Sequence, residues 1–459
     1  MINEGYLYFK GVIAIDHTQI PKEVLSILTI LQSNNYQSFL VGGCVRDLFL
    51  NKQPKDYDIC TIAHPVQVKK LFPKVIETGI KYGTVNVLSG KFSVEVTTFR
   101  QSVLNPDGHR ASEITYGTKV SEDVLKRDFT INALLSDGTQ VVDYVGGQAD
   151  LENSIIRAVE DPDARFREDP LRMIRAVRFS CRLGFEIETN TLEAIKRNVS
   201  LIINVSPERI RDEFNKILLS DRPDYGFQLL HQMGLLKLVL PELEQCYGFE
   251  QHNPYHSQDV FGHILTVVHN TPLNLKIRWA ALLHDIGKPL SFSIDEKGIG
   301  HFYGHNLKSC ALAKEILNRL KFDNKKIRQV LLLIKEHMSK LTTTKRSTIK
   351  RLINRVGIEN INELLELQIA DVKRPETMED VADLKRVKDE VLVILQDKEP
   401  INPRDLAING DDLKAIGIKP GKVMGQILAY LMEKVIDDPG LNNKEDLLAI
   451  VEMELYKLN

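Results

Sequence analysis

Residues 39–47 read FLVGGCVRD, and residues 56–59 read DYDI. The apolar run before the glycines is typical of a buried strand, and the residues after them favour the start of a helix. Two glycines at this corner allow backbone N–H groups to approach an anion closely, and a helix N-terminus adds further donors. The sequence therefore predicts that Gly42, Gly43 and Arg46 form a cradle for phosphate groups.

The aspartates of the second stretch, Asp56 and Asp58, stand at positions i and i+2. On a strand they would project from the same face. Adjacent carboxylates repel each other unless a hard cation lies between them, and Mg²⁺ with carboxylate and phosphate ligands suits this arrangement. The alternative is a solvated Asp-rich turn. Together with the glycine cradle, the pair favours nucleotidyl transfer, in which one Mg²⁺ activates a 3′-hydroxyl and another neutralises the leaving pyrophosphate.

The pattern around these stretches is that of a small α/β unit. An amphipathic segment from Val24 to Leu31 precedes β-rich runs at Ser38–Val41, Thr84–Leu88 and Phe92–Thr98. After residue 147 the strand signal ends and helical periodicity continues to the end of the chain. The fold class predicted is an α+β head with a small mixed sheet, followed by an extended all-α neck, body and tail. The expected bounds are 1–148, 149–222, 223–372 and 373–459.

Length and composition limit the class of protein. A chain of 459 residues predicts about three domains. The 60 basic and 62 acidic side chains give a net charge of −2, which argues against a protein that coats a polyanion. No apolar run approaches the roughly 20 residues that span a bilayer, and the N-terminus does not resemble a signal peptide. Five scattered cysteines without a C-x-x-C spacing suit a reducing, cytoplasmic location.

Residues 168–183 combine an apolar stripe with a stripe of arginines at helical spacing. Asp169 and Arg172 are expected to be neighbours on this helix, either as an ordinary surface ion pair or as a reader of bases. Cytosine and adenine each present an exocyclic amine beside a ring-nitrogen acceptor, which an aspartate and an arginine can bind. Uracil and guanine present a carbonyl and a ring N–H there, and would leave polar groups unpaired.

Several ordered blocks resemble the polymerase-beta superfamily, specifically the bacterial class II tRNA nucleotidyltransferases. The blocks are LVGGCVRD (40–47) with DYD (56–58), ETGIKYGT (77–84), RDFTINA (127–133), EDPLR (168–172) and ERIRDEF (208–214). The resemblance implies template-independent addition of CCA to the 3′ acceptor end of tRNA from CTP and ATP with Mg²⁺. It makes Asp56 and Asp58 the catalytic metal ligands and Asp169 and Arg172 the base-selecting pair.

The same resemblance implies nucleotide contacts from a further group of side chains. Lys126 replaces the family's usual arginine in this region and loses its bidentate fork. A helix N-cap is the structural alternative for Asp128. The expected nucleotide-contacting residues are Arg127, Asp128, Asn132, Arg175 and Arg178.

Three further segments carry expectations. The polar stretch between Gln101 and Lys119 corresponds to the family's flexible loop, and its length argues against an enzyme that adds only CC. Glu95 is either a third carboxylate of the metal site or a structural partner of Arg100. Arg209 and Arg211 are expected either to contact tRNA phosphates or to lie on an ordinary solvated helix face.

A second group of ligand-type residues lies on the helical background of the body. His263, the adjacent His284 and Asp285, and Asp371 can offer nitrogen and oxygen ligands to a divalent transition metal. The pattern resembles the HD phosphohydrolase superfamily, in which these four positions are the ligands. His305 and His337 would extend the site to a second metal. The alternative is an HD fold retained as a scaffold.

Three other functions stay open at the level of sequence. An A-adding tRNA nucleotidyltransferase or a poly(A) polymerase would share the head and neck. An HD phosphohydrolase acting on RNA ends or nucleotides would use the head only to bind RNA. A non-catalytic tRNA-binding module would leave the paired aspartates without a role. The sequence does not predict the oligomeric state.

Overall fold

The computed structural model describes residues 17–80, 83–101, 115–252, 258–373 and 377–458. Its internal contacts divide the chain into two compact units, with the boundary between Val239 and Leu240. The division into head, neck, body and tail remains a prediction. Within the described residues, no helix is both long enough and apolar enough to cross a membrane.

The first unit contains the mixed sheet. Its strands are β1 (Ser38–Val41), β2 (Asp58–Thr61), β3 (Val75–Gly79), β4 (Thr84–Ser89), β5 (Phe92–Thr98), β6 (Arg100–Gln101), β7 (Thr115–Tyr116), β8 (Leu135–Ser136), β9 (Val141–Val142), β10 (Ile155–Ile156) and β11 (Glu186–Ile187). Seven of them form one sheet in the order β3-β4-β5-β2-β1-β8-β9. The pair β2 and β5 is parallel, whereas the other neighbours in this sheet are antiparallel.

Helices surround this sheet and continue beyond it. They are α1 (Lys22–Ser33), α2 (Gly43–Phe49), α3 (Pro65–Leu71), α4 (Val120–Val124), α5 (Gly147–Glu152), α6 (Pro162–Glu168), α7 (Leu171–Leu183), α8 (Thr189–Asn198), α9 (Pro207–Leu218), α10 (Pro223–Gln232) and α11 (Leu235–Val239). The predicted runs at 38–41 and 92–98 coincide with β1 and β5, and α1 buries the apolar face predicted for residues 24–31. The α+β fold class of the head is confirmed.

The second unit is almost wholly helical. Its helices are α12 (Pro241–Glu244), α13 (Val260–Asn270), α14 (Leu275–Leu283), α15 (Lys288–Ser291), α16 (His305–Arg319), α17 (Asn324–Glu336), α18 (Arg346–Val356), α19 (Ile358–Val372), α20 (Met378–Gln396), α21 (Gly410–Ala415), α22 (Lys422–Asp437) and α23 (Lys444–Leu458). A two-stranded hairpin, β12 (Ser293–Ile294) with β13 (Gly300–His301), interrupts them. The prediction of a mostly helical chain after the head is confirmed. The prediction that it is all-α is wrong for this hairpin and for the short parallel pair of β10 and β11, which lies within residues 149–222.

Candidate functional site

The chain turns from β1 into α2 at Gly42, where φ is +80°. This is the left-handed region that favours glycine. A Cβ atom at Gly42 would lie 3.3 Å from Arg127 Nη1, so the residue must also be small. The N–H of Gly42 donates to the carbonyl of Leu134 (3.2 Å). The amides available to an anion therefore belong to the first turn of α2, beginning with Gly43.

The carboxylates of Asp58 and Glu95 lie on strands of the same sheet, beside the turn at Gly42. Asp58 begins β2 and is the register partner of Glu95 on β5. The pKa of Asp58 is raised to about 6, first by burial and then by the charges of Glu95 and Asp56, against the lowering effect of Arg127. Asp56 lies exposed in the bend before β2, so the prediction that both aspartates lie on the strand is wrong for Asp56. A carboxylate whose pKa is raised by neighbouring carboxylates fits a divalent cation, which favours its ionised form.

Arg46 is buried and anchored within the protein. Its Nε and Nη2 donate to Asp47 Oδ1 (2.8 and 2.6 Å), and its Nη1 donates to Asn132 Oδ1 (2.6 Å). Asn132 Nδ2 in turn donates to Asp128 Oδ1 (3.2 Å). The predicted helix start in this block is a single 3-10 turn over residues 130–132, and Asp128 accepts from the N–H of Phe129 (2.8 Å) without capping a longer helix. Three predicted nucleotide contacts thus form one hydrogen-bonded chain.

Arg175 of α7 joins this chain at Asp128. Its Nε donates to Asp128 Oδ2 (2.8 Å), and its Nη2 contacts the same oxygen. Burial alone would raise the pKa of Asp128, but Arg175 and Asn132 lower it below its ordinary value. Asp128 is therefore ionised at neutral pH and fixes the guanidinium of Arg175.

A cluster of arginines surrounds Phe179, also on α7. The guanidinium carbons of Arg46, Arg175 and Arg178 lie 5.4, 5.6 and 4.0 Å from the centre of its ring, within the range of cation–π attraction. Arg178 also pairs with Glu213 (2.5 Å), and burial lowers the pKa of Arg178 to about 10. Sequence reasoning missed Phe179, since an apolar residue at helical spacing reads as core.

Asp169 and Arg172 are held by different partners. Asp169 lies in extended backbone between α6 and α7, so its predicted place on the helix is wrong. The reason is that Pro170 follows it, and the residue before a proline is disfavoured in helical backbone. Asp169 accepts from Arg209, whereas Arg172 donates to Glu168 Oε2 (2.9 Å).

All of these elements border one cavity of about 580 Å³. Asp123, which sequence reasoning missed, is among its lining residues and accepts from Arg127 Nη2 (3.2 Å). The four-residue spacing of that pair is its only signal in the sequence. Asp56 and Arg211 are not among the described residues that line the cavity, and residues 102–114 of the predicted flexible loop lie outside the described chain. The predicted residues that do line it are Gly42, Gly43, Arg46, Asp58, Arg127, Asp128, Asn132, Asp169, Arg172, Arg175, Arg178 and Arg209.

The second predicted cluster is brought together in the second unit. His263 Nε2 lies 3.1 Å from Asp371 Oδ1 and 3.4 Å from Asp285 Oδ2. His284 Nε2 lies 3.2 Å from Asp285 Oδ2 and 3.6 Å from Asp371 Oδ1. All four residues are buried. Three helical segments far apart in sequence therefore aim these side chains at one point.

Asp285 also faces a second pair of histidines. His305 Nε2 lies 3.2 Å and His337 Nε2 lies 3.8 Å from Asp285 Oδ1. The two Nε2 atoms are 3.3 Å apart. Burial and the positive charge that His284 carries in the metal-free protein lower the pKa of His337 to about 3, so the His337 imidazole is neutral and can act as a ligand.

The hydrogen bonds of the histidine rings leave one nitrogen of each ring available to a metal ion. The Nδ1 atoms of His284, His305 and His337 lie 2.7 to 2.8 Å from backbone carbonyls, which only accept, so Nδ1 carries the proton and Nε2 is left as the ligand atom. His284 Nε2 and Asp285 Oδ1 are buried and have no partner with hydrogen-bond geometry among the described residues. Two ligand groups result, His263–His284–Asp285 and Asp285–His305–His337.

Two lysines that the sequence did not single out lie against these carboxylates. Lys288 Nζ is 2.7 Å from Asp285 Oδ2, and Lys340 Nζ is 2.6 Å from Asp371 Oδ2. Although burial opposes it, the neighbouring positive groups hold the pKa of both aspartates well below the usual value. A cavity of about 350 Å³ is lined by both lysines and by the cluster except for His284, which lies behind it; the lysines there can receive an anionic group. The cluster residues that line it are His263, Asp285, His305, His337 and Asp371.

Three family matches cover much of the chain. Residues 38–157 match the Poly A polymerase head domain. Residues 184–247 match the family described as "Probable RNA and SrmB-binding site of polymerase A". Residues 305–451 match domain 2 of tRNA nucleotidyltransferases.

Relatives match over nearly the whole length. The CCA-adding enzyme of Limosilactobacillus reuteri (strain DSM 20016) is 34% identical over 429 residues, which cover 93% of this chain and 95% of the relative. That of Ligilactobacillus salivarius is 33% identical over 432 residues, with the same coverage. The crystal structure of the Bacillus stearothermophilus CCA-adding enzyme in complex with CTP is 26% identical, covers 95% of this chain and 98% of its own, and has a TM-score of 0.69. The Thermotoga maritima CCA-adding enzyme complexed with tRNA-CCA, at 20% identity and a TM-score of 0.60 with 95% and 97% coverage, shares the fold.

Proposed function

Because this chain belongs to the CCA-adding enzyme family, we propose that it adds CCA to the 3′ end of tRNA from CTP and ATP and releases pyrophosphate. Within that family we assign it to the bacterial class II enzymes. Its partners are then tRNA, CTP and ATP, and its place of action is the cytoplasm. The observation that carries the proposal is the single cavity in which Asp58, the arginine cluster and the Asp169–Arg172 pair meet.

Different residues of the cavity bind the triphosphate and the catalytic metal ion. The first turn of α2 and the guanidinium groups of Arg175 and Arg178 neutralise the triphosphate. The 3′-hydroxyl oxygen of the tRNA forms a bond to the α-phosphorus, and the bond from the α-phosphorus to the oxygen shared with the β-phosphate breaks. That oxygen leaves with the pyrophosphate, and the hydroxyl proton passes to solvent water. When bound by Asp56 and Asp58, Mg²⁺ supplies Lewis-acid activation of that hydroxyl and charge neutralisation of the pyrophosphate.

Base selection rests on Asp169 and Arg172. Within the described part of the chain, Arg172 uses three of its five N–H groups, in bonds to Arg165 O, Glu168 Oε2 and Lys126 O. Two N–H groups are then left to meet a ring nitrogen. Asp169 accepts from the exocyclic amine of cytosine or adenine. The protein thereby acts in place of a nucleic-acid template, since UTP and GTP present the opposite polarity.

The direct test uses three transcripts of one tRNA, which end before CCA, after C and after CC. Each is incubated with the protein and Mg²⁺ and supplied with CTP, ATP or both. We expect ordered growth of all three to a fixed CCA end, and none with Asp58→Asn. Growth of only the CC-ended transcript by one A would identify an A-adding enzyme, and open-ended A tails would identify a poly(A) polymerase.

A second function is favoured by the buried His and Asp cluster of the second unit. We propose an HD-type phosphohydrolase site that holds a divalent transition metal through His263, His284, Asp285 and Asp371. The Nε2 atoms directed at the two carboxylates and the neighbouring lysines support it, because they provide metal ligands beside cations for a phosphoester. Phosphoesters at RNA ends and in nucleotides are the substrates that this arrangement suits.

His284→Ala separates the two functions. Hydrolysis of 2′,3′-cyclic AMP in the presence of Ni²⁺ or Mn²⁺ should be lost, while incorporation of CMP and AMP into tRNA persists. His301→Gln serves as the matched control, because His301 borders the same cavity but pairs with Asp295 outside the cluster (2.9 Å). Undiminished hydrolysis in His284→Ala would refute the metal site.

A further inference from the structure

Arg209 on α9 forms a bidentate ion pair with the carboxylate of Asp169 through the two terminal nitrogens of its guanidinium group. Nη1 donates to Oδ1 (3.1 Å) and Nη2 donates to Oδ2 (2.8 Å). The N–H of Leu171 also donates to Oδ1 (3.3 Å). Two parallel hydrogen bonds to one carboxylate fix its plane as well as its position. Arg209 itself is half exposed and lines the same cavity as Asp169.

We propose that Arg209 is a positioning residue for base selection, which holds the plane of Asp169 so that the carboxylate faces the exocyclic amine of the incoming nucleotide. The inference rests on the proposed function. It replaces the expectation that Arg209 contacts tRNA phosphates, because the fork of this side chain is directed at Asp169.

The need for such a residue follows from the location of Asp169. It lies in extended backbone between two helices, and the terminal torsion of an aspartate side chain has a broad, two-fold profile. A carboxylate that can rotate can turn away from the carbonyl of uracil or guanine and so escape the repulsion that rejects these bases. Each carboxylate oxygen can accept two hydrogen bonds. Oδ1 accepts from Arg209 and from Leu171, so the amine would bind at Oδ2, which the single bond from Arg209 Nη2 does not by itself prevent.

The other half of the reading pair is held in a corresponding way. Arg172 is fixed by an acceptor, Glu168 Oε2 (2.9 Å), and by the carbonyls of Arg165 (3.1 Å) and Lys126 (2.7 Å). Each base-reading group thus has a partner of opposite polarity behind it. The geometry gives Arg209 the role toward Asp169 that Glu168 has toward Arg172.

The test measures kcat and KM for single additions of CTP and UTP to a transcript that ends before CCA, and of ATP and GTP to a CC-ended transcript. Arg209→Gln should reduce the discrimination between CTP and UTP about tenfold, which corresponds to about 1.4 kcal/mol. Arg209→Lys keeps the charge but loses the fork, and should fall between the wild type and Arg209→Gln. It also keeps the test informative if Arg209→Gln does not fold.

Arg197→Gln is the matched control. Arg197 on α8 makes the same kind of pair with Asp163, with Nη2 to Oδ2 at 2.7 Å, and does not line the cavity. Its loss should leave the CTP to UTP ratio unchanged. Arg211→Gln, on the same helix as Arg209, should also keep this ratio, whatever its affinity for tRNA in a filter-binding assay.

Three results would overturn the inference while leaving the proposed function intact. In the first, Arg209→Gln discriminates like the wild type. In the second, it loses only affinity for tRNA. In the third, the KM of Arg209→Gln for CTP falls while its discrimination between CTP and UTP stays that of the wild type. Arg209 would then compete with the nucleotide for Asp169. A wild-type protein that adds no CMP would instead refute the proposed function.

Discussion

Asp58 and Glu95 face each other as register partners on the only parallel strand pair of the seven-stranded sheet in the described chain, β2 with β5. Side chains at paired positions of neighbouring strands project from the same face. The charge of Glu95 is accordingly one cause of the raised pKa of Asp58. Of the two roles open to Glu95 from the sequence, this register favours a third carboxylate beside the metal site.

Asp58→Asn should stabilise the metal-free protein while it abolishes nucleotide addition. The pKa of Asp58 is raised to about 6 in the folded protein, so ionisation of this group opposes folding. Its favourable contribution is present below pH 4 and is lost as the pH rises through 6. The rise in the pKa of Asp58 from 3.8 to about 6 corresponds to at most about 3 kcal/mol of folding free energy. Thermal unfolding in EDTA at pH 8 and pH 5 should therefore show a gain for the variant that is larger at pH 8.

Asp163→Asn is a control of opposite sign. Hydrogen bonds from Arg197 and Asn198 lower the pKa of Asp163, so its ionised form favours folding above pH 4 and its neutralisation should lower the melting temperature at pH 8. A lower melting temperature for Asp58→Asn at pH 8 would contradict the proposed carboxylate repulsion.

Glu95→Gln should change both the pH profile and the metal dependence of CMP addition. Removal of one like charge lowers the pKa of Asp58, so the acidic limb of the rate profile moves to lower pH. Fewer carboxylates also weaken cation binding, and the Mg²⁺ concentration for half-maximal rate should rise. Glu152→Gln, at an exposed position on α5, should alter neither quantity. If Glu95→Gln also alters neither, Glu95 has a structural role only.

The sequence predicted most of the first unit's cavity because its residues lie in local patterns. A continuous apolar run predicted β1, a β-rich run predicted β5, and the glycine corner predicted the start of α2. The pairing of Asp169 with Arg209 could not be predicted, because it depends on the break between α6 and α7 and on the packing of α9. Helical spacing suggested instead that Asp169 and Arg172 are neighbours on one helix.

In the second unit, too, local patterns could be predicted and tertiary contacts could not. His284 and Asp285 are adjacent in sequence, and a metal bound by them would need further histidine or carboxylate ligands, which remote segments of the sequence offer. Lys288 stands three residues after Asp285, so their contact is local and its spacing is a signal in the sequence. Lys340 carries no comparable signal, since lysines are most often solvated, and its contact with Asp371 arises only from tertiary packing.

Gly42→Ala should impair nucleotide addition more than it impairs stability. The strained backbone at φ +80° costs roughly 1–3 kcal/mol for alanine, and the new Cβ would displace Arg127 Nη1, 3.3 Å away. Gly146→Ala has the same φ, but no atom lies within 4 Å of its added Cβ. Both variants should melt at a lower temperature, whereas only Gly42→Ala should lose tenfold or more in kcat/KM for CTP. Equal kcat/KM values in the two would remove Arg127 from nucleotide binding.

The shared position of Asp285 predicts the metal content of variants in the second unit. Its two oxygens face different histidine pairs, Oδ2 toward His263 and His284, and Oδ1 toward His305 and His337. Metal content is measured by inductively coupled plasma mass spectrometry after dialysis against Mn²⁺ and then against metal-free buffer. We expect two metal ions per chain in the wild type, one in His337→Gln and none in Asp285→Asn. His301→Gln should match the wild type. If the wild type and His337→Gln both hold a single ion, the site is limited to His263, His284, Asp285 and Asp371. If Asp285→Asn holds as much metal as the wild type, Asp285 is excluded as a ligand.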